Sequence, residues 1–144
     1  MSAANRTTTY VQSHTIAGHH VAVDLGARAA ELRELLPGHG RRSETVYKDG
    51  GLTVVLMAME PGNMMAEHAA GGTDTVHLLE GSVEVHADGA QARLAGGQLL
   101  ALAPGVRHDV HALAESVVLL TVEAVAHDPS VEDDTPPRDV APSP

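Results

Sequence analysis

Hydrophobic and polar positions change their period once along this chain. Leu25, Ala29, Leu32 and Leu36 recur at helical spacing, with Arg28, Glu31 and Glu34 off that face. Asp24 stands where an N-cap is needed, and Pro37-Gly38 stops the helix. Just upstream, Val21, Val23 and Leu25 alternate with Ala22 and Asp24, which predicts a short strand leading into it. From Ser43 onward the pattern is one of short strands. They are expected at residues 45–48, 52–59, 76–79, 83–86, 92–94, 99–102 and 117–125. Asp49-Gly50-Gly51, Glu60-Pro61-Gly62, Glu80-Gly81, Asp88-Gly89, Gly96-Gly97 and Pro104-Gly105 punctuate them as turns. Short strands at this rhythm predict a sandwich or barrel. Residues 52–59 are apolar on both alternating faces, so this strand is expected to be buried on both sides.

A length of 144 residues bounds the chain to one main domain. Residues 1–10 are small and polar and read as a flexible N-terminus; 11–126 form the barrel domain with its strand-helix extension. Residues 127–144 carry Asp128, Glu132, Asp133, Asp134 and Asp139 among prolines, and read as a disordered acidic tail. The chain is 43% hydrophobic yet has no Phe and no Trp, so its core must be built from Leu, Val, Ala and Met. Scarce aromatics and a net charge of −10 argue against nucleic-acid binding, which relies on stacking and on positive charge. No cysteine is present, which excludes thiolate chemistry and agrees with a cytoplasmic location. The N-terminal residues have no apolar core of a secretory signal, and no apolar run is long enough to span a membrane.

Two segments carry a more specific pattern. Gly62, five residues and then His68 are followed by Ala70, Asp74 and Gly81; the second segment holds Gly97, Pro104, Gly105 and His108. These resemble the two motifs of the cupin superfamily, G-x5-H-x-H-x3-4-E-x6-G and G-x5-P-x-G-x2-H-x3-N. The resemblance covers roughly residues 40–125 and implies an all-β fold: a single cupin jelly-roll barrel, or double-stranded β-helix. It also implies a divalent metal held by three histidines and a glutamate. Here Ala70 replaces the second histidine and Asp74 the glutamate, and Pro104 comes one residue late. The ligand set implied is His68, Asp74 and His108, suited to Fe, Mn, Zn or Ni.

Other histidines are read as structural. His77 lies three residues past Asp74 and His111 three past His108, so strand alternation turns each to the outer face. His19 and His20 are expected in solvent; His86 and His127 have no evident partner, and Glu67 reads as a loop residue. Met57, Met59, Met64 and Met65 cluster near the motif in sequence, with Met57 and Met59 as candidates for the apolar wall of a pocket. Arg107, beside His108, is either a contact for an anionic substrate or a surface salt bridge. No G-x-S-x-G elbow, phosphate loop or dinucleotide fingerprint is present.

Two functions stay open. One is a metal-dependent enzyme, of oxygenase or isomerase type, acting on a small organic molecule. The other is a metal-free cupin serving as a small-molecule sensor or accessory binding protein. The resemblance also implies a homodimer, formed through barrel edges.

Overall fold

The computed structural model describes residues 20–124. The flexible N-terminus expected at 1–10 and the acidic tail expected at 127–144 lie outside the described residues, as do His19 and His127.

Helix α1 (Leu25–Leu35) starts as its sequence dictates: the Asp24 side chain accepts a hydrogen bond from Ala27 N at 3.0 Å. Ala29, Leu32 and Leu36 are buried on one face, with Leu25 and Val23 packed at its margin. Two expectations fail here. Residues 21–24 form no strand, because only Val23 finds apolar cover while Val21 stays exposed. Arg28 is not off the packed face but buried, its guanidinium bonded to Glu44 by Nε at 3.0 Å and Nη2 at 2.8 Å. One charge in an apolar stripe is tolerated because a second charge meets it from the neighbouring strand.

Nine strands follow among the described residues: β1 (Arg41–Asp49), β2 (Leu52–Met59), β3 (Met64–His68), β4 (Asp74–Glu80), β5 (Ser82–Ala87), β6 (Ala90–Ala95), β7 (Leu99–Leu102), β8 (His108–Ala112) and β9 (Ser116–Glu123). They form a five-stranded sheet in the order β1-β2-β9-β4-β7 and a four-stranded sheet in the order β3-β8-β5-β6. Strands β3 and β8 go beyond the sequence pattern, since His, Asp and Glu interrupt their alternation.

The sheets close on a core of Met57, Met59, Val76, Leu78, Val83, Val85, Val110, Ala112 and Val118, among others. A second cluster lies outside the barrel, where Leu56 and Ala58 of β2 meet Leu32 and Leu36 of α1. Strand β2 is thus buried on both faces, one by the barrel interior and the other by the helix. Among the described residues, no helix is long and apolar enough to cross a membrane.

Candidate functional site

Alternation decides what enters the barrel. In β4, Asp74, Val76 and Leu78 are buried while Thr75, His77 and Leu79 are half-buried on the outer face. In β8, His108, Val110 and Ala112 point inward, leaving Asp109 and His111 outside.

Asp74 opens β4 and is fixed by the chain before it. Thr73 N donates to Glu123 Oε1 at 3.3 Å, and Glu123 N donates to Thr73 O at 3.0 Å. His108 opens β8 after the Pro104-Gly105 turn, which is tied to the other motif by Gly105 N donating to Ala70 O at 2.9 Å. The two side chains meet across the sheets: His108 Nε2 lies 3.7 Å from Asp74 Oδ2, with the side chains 2% and 6% exposed. That is too long for a hydrogen bond. Behind the ring, His108 Nδ1 stands 3.1 Å from Val106 O, and a carbonyl can only accept, so the proton sits on Nδ1. In the neutral ring Nε2 then carries the lone pair, and this is the atom that faces the carboxylate.

His68 reaches this neighbourhood through an irregularity. Met64 pairs with His111 and Met65 with Val110, then the register shifts so that His68 stands opposite His108. Only its backbone placement is described. The other sequence candidates separate. Met57 and Met59 are buried in the barrel core, and Met65 packs against it, but Met64 is exposed. Arg107 is exposed and pairs with Glu67 at 3.5 Å, so the salt-bridge alternative describes it.

A second group was not read from the sequence. On the outer face of β5 and β8, His86 is the register partner of Asp109 and Glu84 that of His111. Asp109 Oδ1 lies 3.3 Å from His86 Nδ1 and 3.0 Å from His111 Nε2. The Glu84 carboxyl is held below its ordinary range, first by the bond to His86 and then by Arg93, against the opposing effect of burial. Each pair sits two residues apart on its own strand, a signal that sequence carries. The β5–β8 pairing that unites them is not local.

Residues 55–123 match the family model described as the cupin domain. No curated protein matches the sequence. Among solved structures, a conserved protein of unknown function from Streptococcus pyogenes is 22% identical with a TM-score of 0.63, covering 79% of this chain and 96% of that one. A cupin superfamily protein from Desulfitobacterium hafniense is 12% identical with a TM-score of 0.60, covering 77% and 96%. Salicylate 1,2-dioxygenase from Pseudoaminobacter salicylatoxidans, solved as adducts with gentisate, is 15% identical with a TM-score of 0.62, covering 76% of this chain but 35% of the enzyme. At these identities the structures speak for the fold alone, and they agree with the family model and with the two motif loops joined at Gly105 and Ala70: the chain carries a cupin domain, matched over residues 55–123.

Proposed function

We propose that this cupin binds a divalent cation inside the barrel through His108, Asp74 and His68, and there takes a small organic ligand. One observation carries the reading: His108 is held by a backbone carbonyl with its Nε2 3.7 Å from a buried carboxylate oxygen. Two donors each about 2.0–2.2 Å from a shared ion can stand up to about 4 Å apart. A backbone acceptor behind the ring is the usual support for a metal-ligating histidine. The register position of His68 opposite His108 supports it as the proposed third ligand. These residues fit Fe, Mn, Zn or Ni, and such an ion would supply Lewis acidity to a substrate oxygen. The chain's own residues would orient the ring, keep the carboxylate out of water and wall the pocket with Met57 and Met59. The likeness to a dioxygenase solved with an aromatic acid gives a first ligand class to try.

A second reading rests on Ala70. It offers no side-chain donor, and its carbonyl is engaged by Gly105 N. A metal-free cupin that binds a small molecule as a sensor or accessory protein follows from that loss. Elemental analysis of protein purified without an affinity tag separates the two. The metal reading expects one equivalent that His108→Ala and Asp74→Asn both remove; equal metal content in wild type and both variants sinks it. Either reading carries with it a cytoplasmic homodimer without nucleic-acid or membrane partners. The acidic, cysteine-free composition supports that expectation, as does exposed Leu99 on the edge strand β7.

A further inference from the structure

From the outer face of the four-stranded sheet, we infer a second cation site, formed by His86 of β5 with Asp109 and His111 of β8 and specific for a borderline divalent ion such as Zn, Ni or Cu. It is separate from the barrel interior, since strand alternation puts these three side chains on the face opposite His108 and Val110.

Glu84 Oε1 lies 3.0 Å from His86 Nε2, and an ionised carboxylate can only accept, so the ring proton of neutral His86 is on Nε2. Its lone pair is then on Nδ1, which faces another acceptor, Asp109 Oδ1, at 3.3 Å. Two acceptors at that separation repel unless a proton or a metal cation lies between them. His111 Nε2 closes on the same oxygen at 3.0 Å. Asp109 Oδ1 and His111 Nε2 are both screened from water, yet neither makes a hydrogen bond. A buried polar atom left in that state calls for a ligand of another kind.

A proton between His86 Nδ1 and Asp109, with His111 neutral, is the competing arrangement; the two rings lie 4.4 Å apart between centroids at 36°, so protonating both would set like charges against each other. One divalent ion satisfies all three atoms together. Donors about 2.0–2.2 Å from a metal lie about 3.0–3.5 Å from one another, and both contacts of Asp109 Oδ1 have that spacing. Two imidazoles and a carboxylate favour borderline transition metals over calcium or magnesium. Glu84 stands behind His86 as the outer carboxylate that fixes a ligating ring.

The site is open on one side. His86 and Asp109 line a surface hollow of about 280 Å³ that is also walled by Arg107 and Gln91, so water or a small anion can complete the coordination. Because its ligands come from β5 and β8, a bound ion would staple these strands together.

The test uses the full chain, untagged and stripped of metal, with Zn(II) as the probe. Equilibrium dialysis should show Asp109→Asn and His111→Gln each losing one zinc equivalent relative to wild type. In nitrogen-15 spectra of the histidine rings, zinc should move the signals of His86 Nδ1 and His111 Nε2. Glu84→Gln keeps all three ligands and should weaken binding roughly tenfold to a hundredfold. Unchanged stoichiometry in both ligand variants, or ring signals that zinc leaves in place, would overturn the inference. The His108 ring reports on the barrel separately, so either site can fail without the other.

Discussion

Arg28 and Glu44 form an ion pair between α1 and β1 with side chains only 5% and 1% exposed. The geometry is a fork, Nε and Nη2 both bonding the carboxylate, and Glu31 adds a contact to Nη1 at 2.7 Å. Two charges withdrawn this far from water gain little net stability from each other, but each makes the other's burial tolerable.

Removing one member should therefore cost far more than removing both. Glu44→Ala is expected to destabilise by about 3–5 kcal/mol, while Arg28→Met combined with Glu44→Leu stays near neutral or gains stability. Urea unfolding of the two variants and wild type measures this. A double variant as unstable as the single one would show that the pair itself, not its isolation, holds the helix down.

The corner between β4 and β5 leaves no room for a side chain. Gly81 has φ +101°, and a β-carbon there would lie 2.3 Å from Ser116 Oγ and 2.5 Å from Glu115 O. Ser82 N donates to the same Ser116 hydroxyl at 3.1 Å, so the corner cannot give way without breaking a bond. Gly81→Val should destabilise by about 2–4 kcal/mol, from overpacking and backbone strain together. At Gly89, where φ is also positive but nothing lies within 4 Å, alanine should cost only about 1 kcal/mol. Equal losses at the two positions in thermal unfolding would refute the steric part of the argument.

In the barrel, adding Zn(II), Mn(II), Fe(II) or Ni(II) to stripped protein should raise the melting temperature. Binding to the native state alone adds about 2.7 kcal/mol when free ion is about a hundred times Kd. To isolate the barrel, the comparison is made in Asp109→Asn, where the outer group is broken. His108→Ala should abolish the rise, His77→Ala should leave it because that ring is on the outer face, and Ala70→His should enlarge it. No calorimetric binding in either Asp109→Asn or its Ala70→His derivative would leave the metal-free reading in place.

The β1–β2 hairpin carries a pH signature. Tyr47 Oη donates to Asp49 Oδ2 at 2.9 Å and Gly51 N donates to Asp49 Oδ1 at 3.0 Å. The Tyr47 hydroxyl first, and then the Gly51 amide, hold the Asp49 carboxyl below its ordinary range, while the carboxylate pushes the Tyr47 phenol up. A depressed carboxyl contributes stability above its unfolded pKa and loses it as pH falls through the folded one. The raised phenol contributes below its unfolded pKa and loses that as pH climbs through the folded one. Tyr47→Phe should shift the Asp49 NMR midpoint upward. An unmoved midpoint would mean the contact is not made in solution.

Much of the barrel was legible because its signals are local. Strands β2 and β7 have the bounds their sequence pattern predicts, Asp24 caps α1, and Gly81 occupies its turn. His77 and His111 face outward by simple alternation. What escaped depends on distance along the chain. Arg28 looked like a solvent residue because the carboxylate that accompanies it into the interior lies 16 positions away. Strand β3 was hidden by Glu67 and His68, and the bulge that puts His68 opposite His108 leaves no mark in the periodicity. Each half of the outer cluster, Glu84 with His86 and Asp109 with His111, looks like a pair of solvated side chains until β5 lies beside β8.

The double burial of β2 also governs how the chain finds its alignment. A slip of one residue would exchange Met57 and Met59 with Leu56 and Ala58, and both sets are apolar, so polarity hardly penalises the error. Alignment must come from elsewhere: the tight Gly50-Gly51 link that sets Asp49 against Leu52, and the irregularity near Val46 that resets the count in β1. Lengthening that link by one residue should therefore leave a collapsed, strand-rich molecule that populates more than one pairing. For this strand, the loop rather than the core holds the information that makes the native arrangement unique.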